Sequence, residues 1–230
     1  MQSVFSLAED FLSLWFPNLC ASCAAKLYHN EKIICSRCLY ALPKTNFHKD
    51  VENPVAMLFW GRVNIKYATA FYFFNKGSRF RKLIHKLKYN GHHGIGYELG
   101  LHFGTSLKDS CFSEASCIVP VPLHPSKERK RGYNQSEMIA RGMSDSLGLP
   151  VISRNLVRNM ASSTQTRKSR FDRWKNVEHI FSVRDKDRFS HEHIILVDDV
   201  ITTGSTIEAC ARELLKADNT NVSVASLAVA

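Results

Sequence analysis

Hydrophobic residues along this chain fall into two patterns. Short unbroken apolar runs read as buried strands, and runs spaced by three and four residues read as amphipathic helices. Strands are expected at 67–74, 117–121, 151–157, near 178–183, at 193–197 and at 221–229. Helices are expected at 3–15, 78–89, 94–108, 135–147 and 205–216. In the segment 78–89, Phe80, Leu83, Ile84 and Leu87 share one face and the basic residues occupy the other. Strands alternating with helices predict an α/β fold, with a mostly parallel sheet covered by helices on both faces. Pro17 closes the first helix, and a mixed stretch at 44–60 carrying Pro54 reads as a linker. The expected division is an N-terminal helix and small cysteine module over 1–50 and a main domain over 55–230.

Composition narrows the setting. The chain has 230 residues, enough for one main domain and a small module. A formal net charge of +10 favours anionic ligands such as polyphosphate, nucleic acid or a membrane surface. No apolar run approaches the ~18 residues that a membrane span needs. The first 16 residues contain Glu9 and Asp10 and lack a basic leader, so they read as a packing helix and a cytoplasmic location is expected. Three of the seven cysteines, Cys111, Cys117 and Cys210, sit in apolar contexts and read as small core residues. The pairs His92–His93 and His191–His193 lack a third ligand and read as ordinary polar residues.

The most informative stretch is Ile-Ile-Leu-Val-Asp-Asp-Val-Ile-Thr-Thr-Gly-Ser-Thr at 194–206. A buried strand is followed by Asp198 and Asp199, then by a turn of small residues that opens a helix. A helix N-terminus presents free amides and a favourable dipole to an anion. Gly204 lets backbone come close, and the hydroxyls of Thr202, Thr203, Ser205 and Thr206 add donors. The carboxylates need a different partner, either sugar hydroxyls or magnesium. Together these groups suit a ribose 5-phosphate; the plainer alternative is a strand, turn and capped helix. The stretch resembles the type I phosphoribosyltransferases, which bind phosphoribosyl pyrophosphate (PRPP). The resemblance implies that Asp198 and Asp199 hold the ribose hydroxyls and act at the reacting carbon, and that Thr202, Thr203, Gly204, Ser205 and Thr206 hold the 5-phosphate.

Near the other end, Cys20-x-x-Cys23 and Cys35-x-x-Cys38 are separated by 11 residues. Two such knuckles can complete a tetrahedral four-thiolate zinc site, structural because no position is left for water. A pair of disulfides and a redox pair are the alternatives.

Basic residues cluster in three places. One is Val119-Pro120-Val121-Pro122-Leu123-His124-Pro125 with the following 126–135, which carries Lys127, Arg129, Lys130 and Arg131 before Gly132, Tyr133, Asn134 and Gln135. It reads as a strand end and a basic loop suited to pyrophosphate, or as a solvated loop. A second is the segment 159–177, read as a polar loop, with Arg167, Lys168, Arg170, Arg173 and Lys175 around Phe171 and Trp174. Cations interleaved with rings suit single-stranded nucleic acid, and the two aromatics also serve as anchors of a surface loop. The third is Lys76 to Lys88, either a solvated face or a nucleic-acid track.

The wording of these segments closely resembles the ComF family, also called GntX. Arg129, Arg131, Gly132, Asn134 and Gln135 match its pattern, while Ser126 and Lys127 stand where arginines are usual. Gln165, Arg173, Asn176 and Phe181 match its flexible loop, and Lys88-Tyr89-x-Gly91 matches a third element. The resemblance implies a zinc module joined to a type I phosphoribosyltransferase-like domain. It implies PRPP with Mg²⁺ held by Arg129, Arg131, Gln135, Gln165, Arg173 and Asn176 beside the acidic pair and its turn. It also implies a link to natural competence, with single-stranded DNA met by Lys88, Lys127, Arg167, Lys168, Arg170, Trp174 and Lys175, and a helicase partner. The alternative is a true transferase that moves ribose 5-phosphate to an acceptor. Any hood recognising that acceptor is expected from 55–115 or from the cysteine module.

Overall fold

The computed structural model describes residues 17–75, 79–89, 91–159 and 180–230. The helix expected at 3–15, Lys76 and the loop residues Gln165, Arg167, Lys168, Arg170, Arg173, Trp174, Lys175 and Asn176 lie outside that set.

The elements run in the order α1 (Ser36–Tyr40), a 3₁₀ turn (Phe47–Lys49), α2 (Pro54–Met57), β1 (Ala68–Phe73), α3 (Arg79–Tyr89), α4 (His93–Leu107), β2 (Cys117–Pro120), α5 (Pro125–Arg131), α6 (Gln135–Leu147), β3 (Leu156–Arg158), β4 (Phe181–Val183), β5 (His193–Ile201), α7 (Ser205–Leu214) and β6 (Asn221–Val229). Four strands form one parallel sheet in the order β1-β6-β5-β2. Strand residues alternate between two apolar layers, as a doubly covered sheet requires. Phe71, Ile118, Ile195, Val197, Ala225 and Leu227 face the layer of α3, α4 and α6. Ala70, Val119, Ile194, Leu196, Val222 and Val224 face the layer of α2 and α7.

Three expectations are corrected. The strand foreseen at 151–157 is not one element: Val151 makes a single parallel bridge to Ile118, and Leu156–Arg158 pairs antiparallel with Phe181–Val183 as a separate ribbon. β5 does not stop at 197 but runs to Ile201, because β6 continues alongside it through Asp198↔Ser226 and Ile201↔Val229. The acidic pair is therefore inside the strand's C-terminal end. Residues 44–60, expected as a linker, are built into the fold. Buried Asn53 caps α2 by accepting from the Val55 and Ala56 amides, and its own amide donates to the carbonyls of Phe47, Asp50 and Ala68. Val55 and Phe59 beyond it are fully buried.

The site end of the molecule is set by the α4–α6 packing. A Cβ on Gly100 would strike the Ile139 carbonyl, and one on Gly142 would strike that of Tyr97. Glycine at both positions lets the two backbones approach closely and fixes where the first turn of α6 sits. The cysteine segment packs on the same side, with Cys20, Leu27, Ile34 and Cys38 in the apolar cluster of α3 and α4. Cys117 and Cys210 are core residues as expected, and Cys111 is half-buried against that core. His193 is buried, with Nε2 2.8 Å from the Ser223 hydroxyl. Among the described residues no helix is long and apolar enough to cross a membrane.

Candidate functional site

Three of the singled-out sequence segments meet at the C-terminal end of β5. Asp198 Oδ1 accepts the Ser136 hydroxyl at 3.0 Å and the Asp199 amide at 2.8 Å. Asp199 Oδ2 lies 2.7 Å from Lys88 Nζ, at the last turn of α3. Burial first, then the neighbouring Asp199 carboxylate, push Asp198 up to about 7. The Asp199 amide, the Ser136 hydroxyl and the Lys88 charge oppose that rise. Asp198 thus titrates near neutrality, and Asp199 is paired with a cation from its own chain.

Ser136 reaches Asp198 because of how α6 begins. Asn134 caps the helix by accepting from the Ser136 amide and holds its own amide on the Val121 carbonyl at 2.9 Å. That anchors the start of α6 to the chain leaving β2. The segment 125–131, expected as a basic loop, is the helix α5. Pro125 stands in its first turn, His124 Nδ1 accepts the Ser126 amide, and Gly132 closes it at φ 82°. Its last-turn arginines and lysine suit the negative end of the helix dipole. Arg131 bonds Gln135 Oε1 at 2.8 Å and lies 5.3 Å from the Tyr89 ring centre. Gln135 is buried, and its Nε2 has no partner. Arg129 and Lys127 are exposed on α5. Lys88, expected on an open nucleic-acid track, is instead three-quarters buried in the ion pair with Asp199.

The turn at 202–206 follows β5 and opens α7. Gly204 is the N-cap, at φ 75°, a left-handed conformation that side chains resist. The Thr203 and Ser205 hydroxyls are 3.0 Å apart, and Thr202, Ser205 and Thr206 are exposed. The turn rests on a support that sequence reasoning missed. The Phe59 ring lies under Gly204, 3.0 Å from where a Cβ would stand. Arg62 donates to the carbonyls of Leu58 at 2.9 Å and Thr203 at 3.0 Å, and it pairs with Glu208 on α7. No motif marks Phe59 or Arg62, whereas Ser136 directly follows the matched Asn134–Gln135.

The four N-terminal cysteines come together. Their sulfurs all lie within 4.8 Å of one another, and those of Cys23 and Cys35 are 3.7 Å apart. Ligands at ~2.3 Å from a tetrahedral zinc stand roughly 3.8 Å from each other, so the spacing fits a metal ion. The Cys35 and Ser22 amides point at Cys20 Sγ from 3.2 and 3.4 Å. Burial raises the Cys20 thiol, but these amides and that of Cys23 outweigh it and bring Cys20 down to about 7. Among the described residues this is the one group of side chains that can hold a metal through three or more His, Cys, Asp or Glu ligands.

Comparison with known proteins agrees with this geometry. The phosphoribosyl transferase domain family matches residues 129–229, which run from α5 through the acidic pair to β6. Competence protein F of Haemophilus influenzae is 36% identical over 48% of this chain and 49% of its own length. DNA utilization protein YhgH of Escherichia coli is 28% identical over 89% of this chain and 87% of its own length. Competence protein ComFC of Bacillus subtilis is 32% identical over 43% of this chain and 38% of its own length. These similarities support the ComF family for this chain. The chain spans about half the length of the Haemophilus relative. Among solved structures, a glutamine PRPP amidotransferase from B. subtilis, complexed with ADP and GMP, overlaps 59% of this chain and 26% of its own at 23% identity and a TM-score of 0.43. The chain has a type I phosphoribosyltransferase fold, with a four-cysteine cluster near its N-terminus.

Proposed function

We propose that this ComF-type chain binds PRPP or a related ribose phosphate at the end of β5 and serves natural competence by handling incoming single-stranded DNA. The observation that carries the reading is the convergence of Asp198 and Asp199, Ser136, Lys88 and the 202–206 turn at one sheet end. Carboxylates suit ribose hydroxyls as acceptors. The first amides of α7 lack intrahelical partners and suit the 5-phosphate. Arg129, Arg131 and Gln135 lie on the α5–α6 side and suit the pyrophosphate, which magnesium would accompany. Gln165, Arg173 and Asn176 would complete the closure over the ligand. The four thiols would hold a structural zinc.

The competence role is supported by the names of the relatives, two competence proteins and a DNA utilization protein. It is also supported by the basic residues exposed on α3 and α5 and by the basic composition of 167–175 in the sequence. The second reading is an active transferase, favoured by two adjacent carboxyl groups at the strand end where positive charge would develop at C1. In that step the bond from C1 to pyrophosphate breaks and an acceptor atom bonds C1. Lys127, Arg167, Lys168, Arg170, Trp174 and Lys175 decide between the two. Fluorescence anisotropy with a labelled oligonucleotide at two salt concentrations should show tight binding with a steep salt slope. Arg170→Ala with Lys175→Ala should flatten that slope, and Trp174→Ala should weaken binding with the slope kept. DNA binding absent at physiological salt, in protein that still gives heat with PRPP and magnesium, selects the transferase.

A further inference from the structure

Two adjacent carboxylates at the end of a buried strand ordinarily need a cation beside them. In this chain a cation is already there. Lys88 Nζ lies 2.7 Å from Asp199 Oδ2, with the two side chains only 25% and 15% exposed. Surface ion pairs are held loosely, but this lysine comes from a fixed helix end. Leu83, Ile84 and Leu87 of α3 are buried. The Tyr133 hydroxyl donates to the Leu87 carbonyl. Lys86, two residues before Lys88, donates to the Ala21 carbonyl of the cysteine segment at 2.6 Å. The last turn of α3 is thereby tied to the cysteine module on one side and to the start of α6 on another, and Lys88 is delivered to Asp199 from that frame.

We propose that the Lys88 ammonium is the built-in cation of the acidic pair and stands where a divalent ion would otherwise sit. Lys88 is then a positioning residue. It holds Asp199 in place, and the vicinal hydroxyls of a ligand reach Asp198 and Asp199 without a metal between them. An ammonium carries three donors, so binding Asp199 leaves others for a ligand oxygen. The statement about hydroxyls rests on the ribose-phosphate reading; the statement about the cation does not. Magnesium, in this account, travels with a pyrophosphate and is not required by the carboxylates.

Manganese(II) titration of the full chain, followed by electron paramagnetic resonance of the free ion, tests the cation directly. Wild type should have no manganese site that Asp199→Asn removes. Lys88→Met should acquire one, about tenfold or more tighter than any wild-type binding, and Lys88→Met with Asp199→Asn should lose it. Lys88→Arg, which keeps the charge, should behave as wild type and guards against a folding defect in the methionine variant. A wild-type manganese site abolished by Asp199→Asn overturns the proposal, as does a Lys88→Met protein that binds no tighter than wild type. Calorimetry with ribose 5-phosphate then tests the consequence. Wild-type affinity should not depend on magnesium chloride, whereas Lys88→Met should bind about tenfold more weakly without magnesium and regain affinity with it. If ribose 5-phosphate binds none of these proteins, the ribose-phosphate reading falls, and the manganese result still decides the role of Lys88.

Discussion

Gly204 is the residue on which the turn at 202–206 depends, and the reason is the ring beneath it. From sequence alone, a side chain at 204 is expected to fill a phosphate cradle. The structure instead directs the Cβ at Phe59, with contacts of 3.0 and 3.3 Å to Cε1 and Cζ. Two costs follow from Gly204→Ala. Holding an L-residue at φ 75° costs about 1 kcal/mol. Displacing a fully buried ring from a packed contact costs about 1 kcal/mol more. The sum of about 2 kcal/mol should lower the midpoint of thermal unfolding by roughly 4–8 °C for a chain of this size. The two costs are separable by a double-mutant cycle read from urea unfolding. In a Phe59→Leu background the steric part should vanish, so Gly204→Ala should then cost only about 1 kcal/mol. An equal cost in both backgrounds would refute the contact. A Gly204→Ala protein within ~0.5 kcal/mol of wild type would refute both arguments.

Protein purified under reducing conditions should contain about one zinc per chain by elemental analysis, and Cys35→Ser should lose it; metal-free wild type that unfolds identically to the zinc-loaded form would contradict a structural role. Asp198 is raised from 3.8 to about 7 on folding, so the native state binds more protons than the unfolded state across that window. Its contribution to stability is therefore greatest at the acid end, falls as pH rises from about 4 to about 7, and is flat above. Asp198→Asn should remove that slope from urea-unfolding profiles, and an unchanged slope would show that Asp198 is not the group responsible.

The sheet and most helices were legible because their signals are local. Phe80, Leu83, Ile84 and Leu87 mark the buried face of α3 by spacing alone, and all four are buried. The helix 135–147 has the bounds its sequence suggests, since Asn134 and Gly148 cap it from residues adjacent in the chain. The paired cysteine knuckles predicted their own cluster because each knuckle already places two sulfurs together. What sequence missed is non-local. Asn53 looks like part of a linker until the carbonyl of Ala68 is brought to it. Phe59 and Arg62 look ordinary until α7 arrives to be supported. The end of β5 was placed too early because a run of acids looks like a loop, and only pairing with β6 makes it strand.

The long-range contacts also resolve a difficulty in the sequence reading, that two carboxylates repel a phosphate. Asp199 is offset by Lys88 at 2.7 Å, and Asp198, held near 7, is protonated in a substantial fraction of molecules around neutral pH. The trio of Lys88, Asp198 and Asp199 therefore carries between zero and one negative charge there, not two. The dipole of α7 and the amides of its first turn would favour a phosphate at 202–206. An anion is thus not excluded from a site that also contains two acids. The same arithmetic says what removing Lys88 does. Without its charge the two carboxylates would face each other with no cation of the chain beside them. Lys88, singled out in the sequence for a matched element and for DNA, is by position the cation that faces the acidic pair.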